Sequence, residues 1–379
     1  MDFSLSDEQN AIFEMARAFA ADRLAPNAIA WDQERHFPIE DIRAVAELGM
    51  AGIYVREQHG GSGLCRLDAT LIFEALSMGC PATAAYISIH NMVAWMIDTY
   101  GDEKQRSKWV GPLCRMEKLS SYCLTEPGSG SDAAALKTKA EPVGEGYILN
   151  GEKAFISGGG VTDLYLVMAR SGGDGPKGIS AFLVERDVAG LRFGANERKM
   201  GWHVQPTAAV YFNDCQIAQE NRLGTAGSGF AYAMRGLDGG RLNIAACSLG
   251  GAQLALDKAK AYLKERQAFG RPLADFQALQ FRLADMETEL QAARVFLRQA
   301  AWMLDQRAPD ATKHCAMAKR FVTDIGFRVA NDALQLHGGY GYLADFGLEK
   351  IVRDLRVHQI LEGANEIMRH IVARSLLAE

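Results

Sequence analysis

Two stretches of the chain carry residue types at spacings that could do chemistry. The first is Tyr122-Cys123-Leu124-Thr125-Glu126-Pro127-Gly128-Ser129-Gly130-Ser131-Asp132. The apolar run Leu119–Leu124 reads as a short strand that breaks into a loop of Gly, Ser and one Pro. Glycines let backbone amides approach a ligand, and the hydroxyls of Thr125, Ser129 and Ser131 add donors. Such a loop suits a flat, polar-edged heterocycle or a phosphate, and a hairpin loop rich in turn formers has the same composition. The second is Glu362, between the apolar end of a helical pattern and Gly363. A carboxylate there is either a desolvated base with a raised pKa or a helix-end carboxylate in water.

Three other patterns carry less. Gly128-x-Gly130-x-x-Ala133 fits a loose dinucleotide fingerprint but has no crossover helix or parallel βαβ unit around it. The loop His59-Gly60-Gly61-Ser62-Gly63 has no P-loop Lys after it. His358 and Glu362 stand one helical turn apart, without a second ligand pair or an H-E-x-x-H run to suggest a metal.

The elements that must position these groups change character twice. Ser6 and Gln9 form a capping box before an amphipathic helix bearing Ile12, Met15, Ala16 and Phe19. Asp41–Leu48, Leu67–Met78, Ala84–Tyr100 and Glu103–Val110 continue the helical part. From Leu119 to about Leu223, short β-rich runs alternate with turns; Tyr147–Leu149, Asn150-Gly151 and Lys153–Ile156 predict a hairpin. After Gly229 the helical period returns over Phe230–Arg266, Phe276–Leu304, Ala311–Leu336 with Asp310 as its cap, Leu348–Ile360 and Asn365–Leu377. Glycines 236, 239, 240, 250 and 251 weaken the first of these helices unless something packs closely against them. The expected layout is a helical domain over 1–118, a mainly antiparallel β domain over 119–228 and a four-helix-type bundle over 229–379.

The chain has 379 residues, 48% of them hydrophobic, enough for a sizeable core. A net charge of −5 with no basic tract argues against nucleic acid and anionic membranes. Seven cysteines without a C-x-x-C pair read as thiols in a reducing compartment. No apolar run spans a bilayer, and Met1-Asp2-Phe3-Ser4 has the character of neither a signal nor a transit peptide. A cytoplasmic protein is expected, or a trimmed mature form from the mitochondrial matrix.

The run Tyr122–Asp132 resembles the flavin-binding signature of the acyl-CoA dehydrogenases. Ile360-Leu361-Glu362-Gly363-Ala364-Asn365-Glu366-Ile367 resembles that family's C-terminal signature, and the likeness extends from Phe3 to the C-terminus. The resemblance implies the family's α+β fold, with an N-terminal helical domain, a central antiparallel β domain and a C-terminal four-helix bundle. It implies FAD as cofactor and Glu362 as the base that removes the pro-R α-proton of an acyl-CoA thioester. The β-hydride would pass to flavin N5, leaving a trans-2-enoyl-CoA. An α-proton so weakly acidic needs hydrogen bonds to the thioester oxygen, which the family takes from the backbone N–H at the base and a ribityl hydroxyl. Some members carry the base on the long helix after the β domain; the matching position here is Gly240, which cannot act.

The same resemblance distributes the contacts. Tyr122, Cys123, Leu124, Thr125, Gly130 and Ser131 would hold the flavin on one side. Phe155, Ile156 and Ser157 would hold it on the other, Phe155 standing where members often have Trp. Arg266 matches the Arg on the FAD pyrophosphate, a task for a planar, permanently charged group. Phe276, Gln277, Gln335, Leu336, His337, Gly338 and Gly339 match segments that bind the dinucleotide from a neighbouring subunit. Ala364, Asn365 and Glu366 complete the flavin contacts, and Asn365 also suits an N-cap. Ser131, Asp238, Gly239, Gly240, Arg241, Gly363 and Arg374 would face the acyl-CoA; without the resemblance, Asp238 and Arg241 read as a solvated i, i+3 pair. A homotetramer and an electron-transfer flavoprotein as electron acceptor follow by analogy. The run Val357–Leu377 is most similar to the branch that acts on isobutyryl-CoA. A 2-methylbutyryl or short straight-chain substrate, an oxidase on a related scaffold, and a non-catalytic binding member are the alternatives.

Overall fold

The computed structural model describes residues 4–378, so Met1–Phe3 and Glu379 lie outside it. Helix α1 (Asp7–Phe19) starts at the expected capping box: the Gln9 N–H donates to Ser6 Oγ at 3.1 Å, and Gln9 Oε1 accepts from the Ser6 N–H at 3.2 Å. Helices α2 (Ala28–Glu34) and α3 (Ile39–Ala44) are short, and Gly49 at φ 72° ends the 3-10 turn that follows α3. Helices α4 (Arg66–Ser77) and α5 (Pro81–Tyr100) are buried almost all round, as their near-continuous apolar sequence requires. Helix α6 (Glu103–Cys114) runs past the expected stop at Val110. Pro112 costs it one backbone bond, which burial of Trp109, Val110 and Leu113 offsets.

The chain then forms strands β1 (Ser120–Cys123), β2 (Lys139–Val143), β3 (Gly146–Ser157), β4 (Leu164–Arg170), β5 (Ile179–Glu185), β6 (Leu191–Phe193), β7 (Thr207–Ala218) and β8 (Arg222–Leu223). Seven pair in the order β6-β7-β3-β2-β4-β5-β8, and β1 adds to β4 in parallel. The other ladders are antiparallel apart from one β2–β4 bridge.

The hairpin expected at Asn150-Gly151 is not formed. Strand β3 runs unbroken through it, and the reversal is two residues long at Gly144-Glu145. Asn150-Gly151 instead sits at a register shift between β3 and β7. There the Asn150 Nδ2 donates to Asp214 Oδ1 at 2.9 Å, and the Asp214 N–H donates to Asn150 Oδ1 at 2.8 Å. A residue pair with turn chemistry thus serves a bulge, because the amide side chain replaces the missing ladder bond.

Helix α7 (Gly229–Glu265) is the spine of the remainder. It packs along α8 (Gln277–Asp305) and α9 (Ala311–Leu336), and also on α4 and α5 of the amino-terminal part. Its glycines are used as closely as the sequence requires: Gly250 meets the Glu74 backbone carbonyl of α4 with no room for a Cβ. Asp310 precedes α9 without capping it, and its carboxylate turns to His314 Nδ1 at 3.3 Å. Helices α10 (Leu348–His358) and α11 (Asn365–Ala378) flank α9, and the loop between them carries Glu362. Among the described residues no helix is long and apolar enough to cross a membrane, and all seven cysteines are free thiols.

Candidate active site

Glu362 and Gly363 both turn left-handed, at φ 55° and 92°, where the chain leaves α10. That conformation strains a residue with a Cβ and swings the Glu362 side chain back across α7. A Cβ built on Gly240 would lie 2.6 Å from Glu362 Oε2 and 3.0 Å from its Cδ. Glu362 Oε2 is out of solvent with no hydrogen-bond partner. Burial therefore lifts the Glu362 pKa to about 7, against the pull of Arg241 and then Lys319. Of the two sequence alternatives this is the desolvated carboxylate, not a helix-end carboxylate in water. The Glu362 backbone N–H donates to no group among the described residues, leaving it available to a substrate oxygen.

The Glu362 loop is braced from α7. Arg241 Nε donates to the Glu362 carbonyl at 3.3 Å, and Arg241 Nη1 donates to Asp238 Oδ1 at 2.7 Å. Thr312 Oγ1 donates to the other Asp238 oxygen at 2.7 Å. The solvated i, i+3 reading of Asp238 and Arg241 is thereby corrected: the pair is buried, and Arg241 reaches on to the Glu362 loop. Gly239 lies against the Arg66 guanidinium, which stacks 3.6 Å from the Tyr54 ring centroid and 4.7 Å from that of Trp95. Tyr54 is held by Asn243 Nδ2 at 3.2 Å, and its pKa is raised, first by burial, with the Glu362 charge among the smaller causes. Nothing in the spacing of Tyr54, Arg66 or Lys319 pointed to this site, because each comes from a different helix or loop.

Tyr122 joins the two signatures. Its Oη is buried without a partner, and its pKa stands well above the phenol range because of burial and then the Glu362 charge. The loop beyond it is pre-built. The Ala154 N–H donates to the Thr125 carbonyl at 2.9 Å, and Lys153 Nζ donates to the Leu124 carbonyl at 3.1 Å and to Glu126 Oε1 at 2.7 Å. The Lys137 and Thr138 N–H groups also donate to the Glu126 carboxylate, at 2.6 and 2.9 Å. Ser129 Oγ turns inward to the Asp132 carbonyl at 2.6 Å, so it is not the outward donor expected, whereas Gly130 and Ser131 are exposed. Cys123, Leu124 and Ile156 send their side chains into the core and offer only backbone to a ligand.

Phe155 is the reverse case. A second register shift lies between Lys153 and Ile156, where Phe155 stands at φ 59° and is 66% exposed. The Ser157 carbonyl beside it is taken by Ser121 Oγ at 2.6 Å. An uncovered aromatic, an unpartnered buried phenol and an open glycine loop are features a flat aromatic ring would satisfy.

A second group of expected residues lies around one cavity of about 390 Å³. Arg266, Gln335, Leu336, His337, Gly338 and Gly339 line it with Tyr262 and Tyr340. His337 stacks on Tyr262 with centroids 4.3 Å apart and donates from Nδ1 to the Ala333 carbonyl at 2.8 Å, and burial lowers its pKa against the pull of that hydrogen bond. Phe276 and Gln277 begin α8 just beyond, outside the lining, where Phe276 stacks under Arg271. A cationic guanidinium at the edge of an aromatic-walled cavity fits a dinucleotide diphosphate and base.

The remaining candidates divide. Asn365 does not cap α11: its amide is buried against α9, donating to Asp324 Oδ1 at 2.7 Å and Thr323 Oγ1 at 3.0 Å. Ala364 supplies the cap carbonyl, and Glu366 is exposed beside Arg369. Arg374 is exposed near the end of α11. His358 is a core histidine, not a metal ligand. Its ring accepts from Trp202 Nε1 at 3.2 Å, pairs with Ser248 Oγ at 2.7 Å and is held neutral by burial. Among the described residues no cluster of ligating side chains could hold a metal.

Comparison with known proteins bears on this geometry. Family models described as the N-terminal, middle and C-terminal domains of acyl-CoA dehydrogenase match residues 6–117, 121–215 and 227–377. The chain is 54% identical over 375 residues to the mitochondrial isobutyryl-CoA dehydrogenase of Bos taurus, covering 99% of this chain and 90% of that protein. It superposes on the butyryl-CoA dehydrogenase of Megasphaera elsdenii with a TM-score of 0.96 at 38% identity, all of both chains being covered. A chain in a structure of the electron transferring flavoprotein of Acidaminococcus fermentans gives a TM-score of 0.97 at 41% identity, again over the whole of both. Solved neighbours include an FAD complex, and the cavity and loop described above fit that cofactor. On this sequence, fold and site, the chain belongs to the acyl-CoA dehydrogenase family of FAD-dependent oxidoreductases.

Proposed function

We propose that this acyl-CoA dehydrogenase acts on a short branched-chain acyl-CoA, isobutyryl-CoA above others, with Glu362 as its base. The observation that carries the reading is the buried Glu362 carboxylate against Gly240, with the base on one element and the space for it on another. Bound FAD supplies the hydride acceptor at its N5. The chain's own residues do the rest. Glu362 takes the α-proton, and its raised pKa makes it a better base than a carboxylate in water, narrowing the gap that hydrogen bonds to the thioester oxygen must close. Its backbone N–H donates to the thioester oxygen as negative charge develops there. Arg241 holds the carbonyl of the same residue, which steadies the left-handed turn that carries that N–H.

Tyr122, Thr125, Gly130, Phe155 and Ser157 hold the ring, and Arg266 with the Gln335–Gly339 segment holds the dinucleotide end in a tetramer. Electrons leave to an electron-transfer flavoprotein. The high identity to the bovine isobutyryl-CoA dehydrogenase supports the branched substrate. An anaerobic titration of the yellow holoenzyme against acyl-CoAs of graded length and branching tests this. Bleaching by isobutyryl-CoA at far lower concentration than by octanoyl-CoA is the expected result. The reverse order rejects the branched-chain assignment; in a separate assay in air, peroxide formed at the rate of turnover without an added acceptor assigns the chain as an oxidase.

A further inference from the structure

We propose that Lys319 is a positioning residue for the base: its ammonium, reaching out of α9, fastens the Glu362–Gly363 turn and keeps the carboxylate against Gly240. This rests on the reading of Glu362 as the base.

Lys319 is 0% exposed. Its Nζ donates to the Gly363 carbonyl at 2.7 Å and to Asn365 Oδ1 at 2.9 Å. Both acceptors are neutral, so the buried charge is not matched by a carboxylate in direct contact. Burying an ammonium on neutral acceptors is costly, and an apolar side chain of that length would pack at less cost. The charge therefore calls for an explanation beyond packing.

The loop supplies one. Its two left-handed residues are gripped from opposite sides, the Glu362 carbonyl by Arg241 from α7 and the Gly363 carbonyl by Lys319 from α9. Released from either, the strained turn would relax and the carboxylate would swing from Gly240. Thr323 and Asp324, on the same helix as Lys319, hold the Asn365 amide in the same grip. The charged groups facing Lys319 are Glu362 in the loop, Arg241 on α7, Asp324 on α9 and Glu366 on α11. Those facing Glu362 are Arg241 and Lys319, with the Tyr54 and Tyr122 phenols nearby. Burial draws the Lys319 pKa down to about 7, and the Glu362 charge is the largest opposing influence. The Lys319 charge also favours the ionised form of Glu362, second to Arg241, against the larger effect of burial.

The test compares Lys319→Met and Lys319→Arg holoenzymes with wild type. The rate of flavin reduction per bound FAD should fall about tenfold or more in Lys319→Met, with less change in KM. The acid limb of its pH profile should move up by about one unit, because losing a neighbouring cation raises a carboxylate's pKa. In Lys319→Arg the acid limb should stay near wild type. Infrared detection of the protonated Glu362 carboxyl, identified by its absence in Glu362→Gln, should show the same displacement without turnover. If Lys319→Met does not fold, Lys319→Gln against Lys319→Arg makes the same comparison of neutral with charged. Rates within about twofold of wild type and coincident acid limbs, in a neutral variant that retains FAD, would overturn the proposal. Should Glu362→Gln itself still reduce flavin, the base assignment fails instead, and the two failures are told apart.

Discussion

Gly240 and Glu362 occupy one place: a methyl group on the first would lie 2.6 Å from the carboxylate of the second. The two positions from which members of this family present a base therefore converge, and the chain fills the spot from one side only. Substituting Gly240→Ala must displace the Glu362 carboxylate or shift α7. Flavin reduction should slow by at least about tenfold, as for a misplaced catalytic group. FAD content should hold, since Gly240 lies away from the Arg266 cavity. A rate equal to wild type in stopped-flow reduction would mean that the carboxylate does not work from where it lies.

The pH dependence has a definite sign. Burial raises the Glu362 pKa to about 7, and a base works only when ionised. The rate of flavin reduction should therefore climb with pH and level off above a midpoint near 7. A profile already flat at pH 5 would place the carboxylate in water. Stopped-flow reduction by saturating substrate across pH 5–9 reads this directly.

Phe155 separates binding from folding. Its ring is exposed and its backbone is left-handed, a conformation that Gly adopts without strain. Replacing Phe155→Gly should leave the FAD-free protein as stable or up to about 1 kcal/mol more so. The same change should weaken FAD by about fivefold or more, through lost contact with the ring. Thermal melts with and without FAD, paired with a dissociation constant, check both signs. A loss of stability in the FAD-free protein would make Phe155 a packing residue.

The loop that carries the flavin signature is anchored by a buried ion pair, Lys153 Nζ to Glu126 Oε1 at 2.7 Å. Glu126→Gln leaves the ammonium without its counter-charge and should cost about 3 kcal/mol or more. Denaturant unfolding measures this; a loss under about 1 kcal/mol would show the pair to be dispensable.

What the sequence disclosed follows from the range of the interactions involved. The capping box at Ser6 and Gln9, the long helices and the change to strands at Leu119 are set by local periodicity, and the structure has them close to where they are read. Asn150-Gly151 misled because its turn chemistry serves a bulge, a choice made by Asp214 on another strand. Pro112 and Asp310 misled for a similar reason, since burial and His314 override the local signal. At the site, Glu362 and the Tyr122–Asp132 loop were legible as words in a familiar order. Lys319, Tyr54, Arg66 and the Lys153–Glu126 pair were not. Each is a single residue of common type whose importance comes from a contact far along the chain.

The most direct test of the central claim is anaerobic flavin reduction by isobutyryl-CoA in the Glu362→Gln holoenzyme. The side chain keeps its shape and loses only its capacity to take a proton, so FAD should remain bound. Reduction should slow by several orders of magnitude. Reduction at the wild-type rate, with FAD bound, would contradict the assignment of Glu362 as the base.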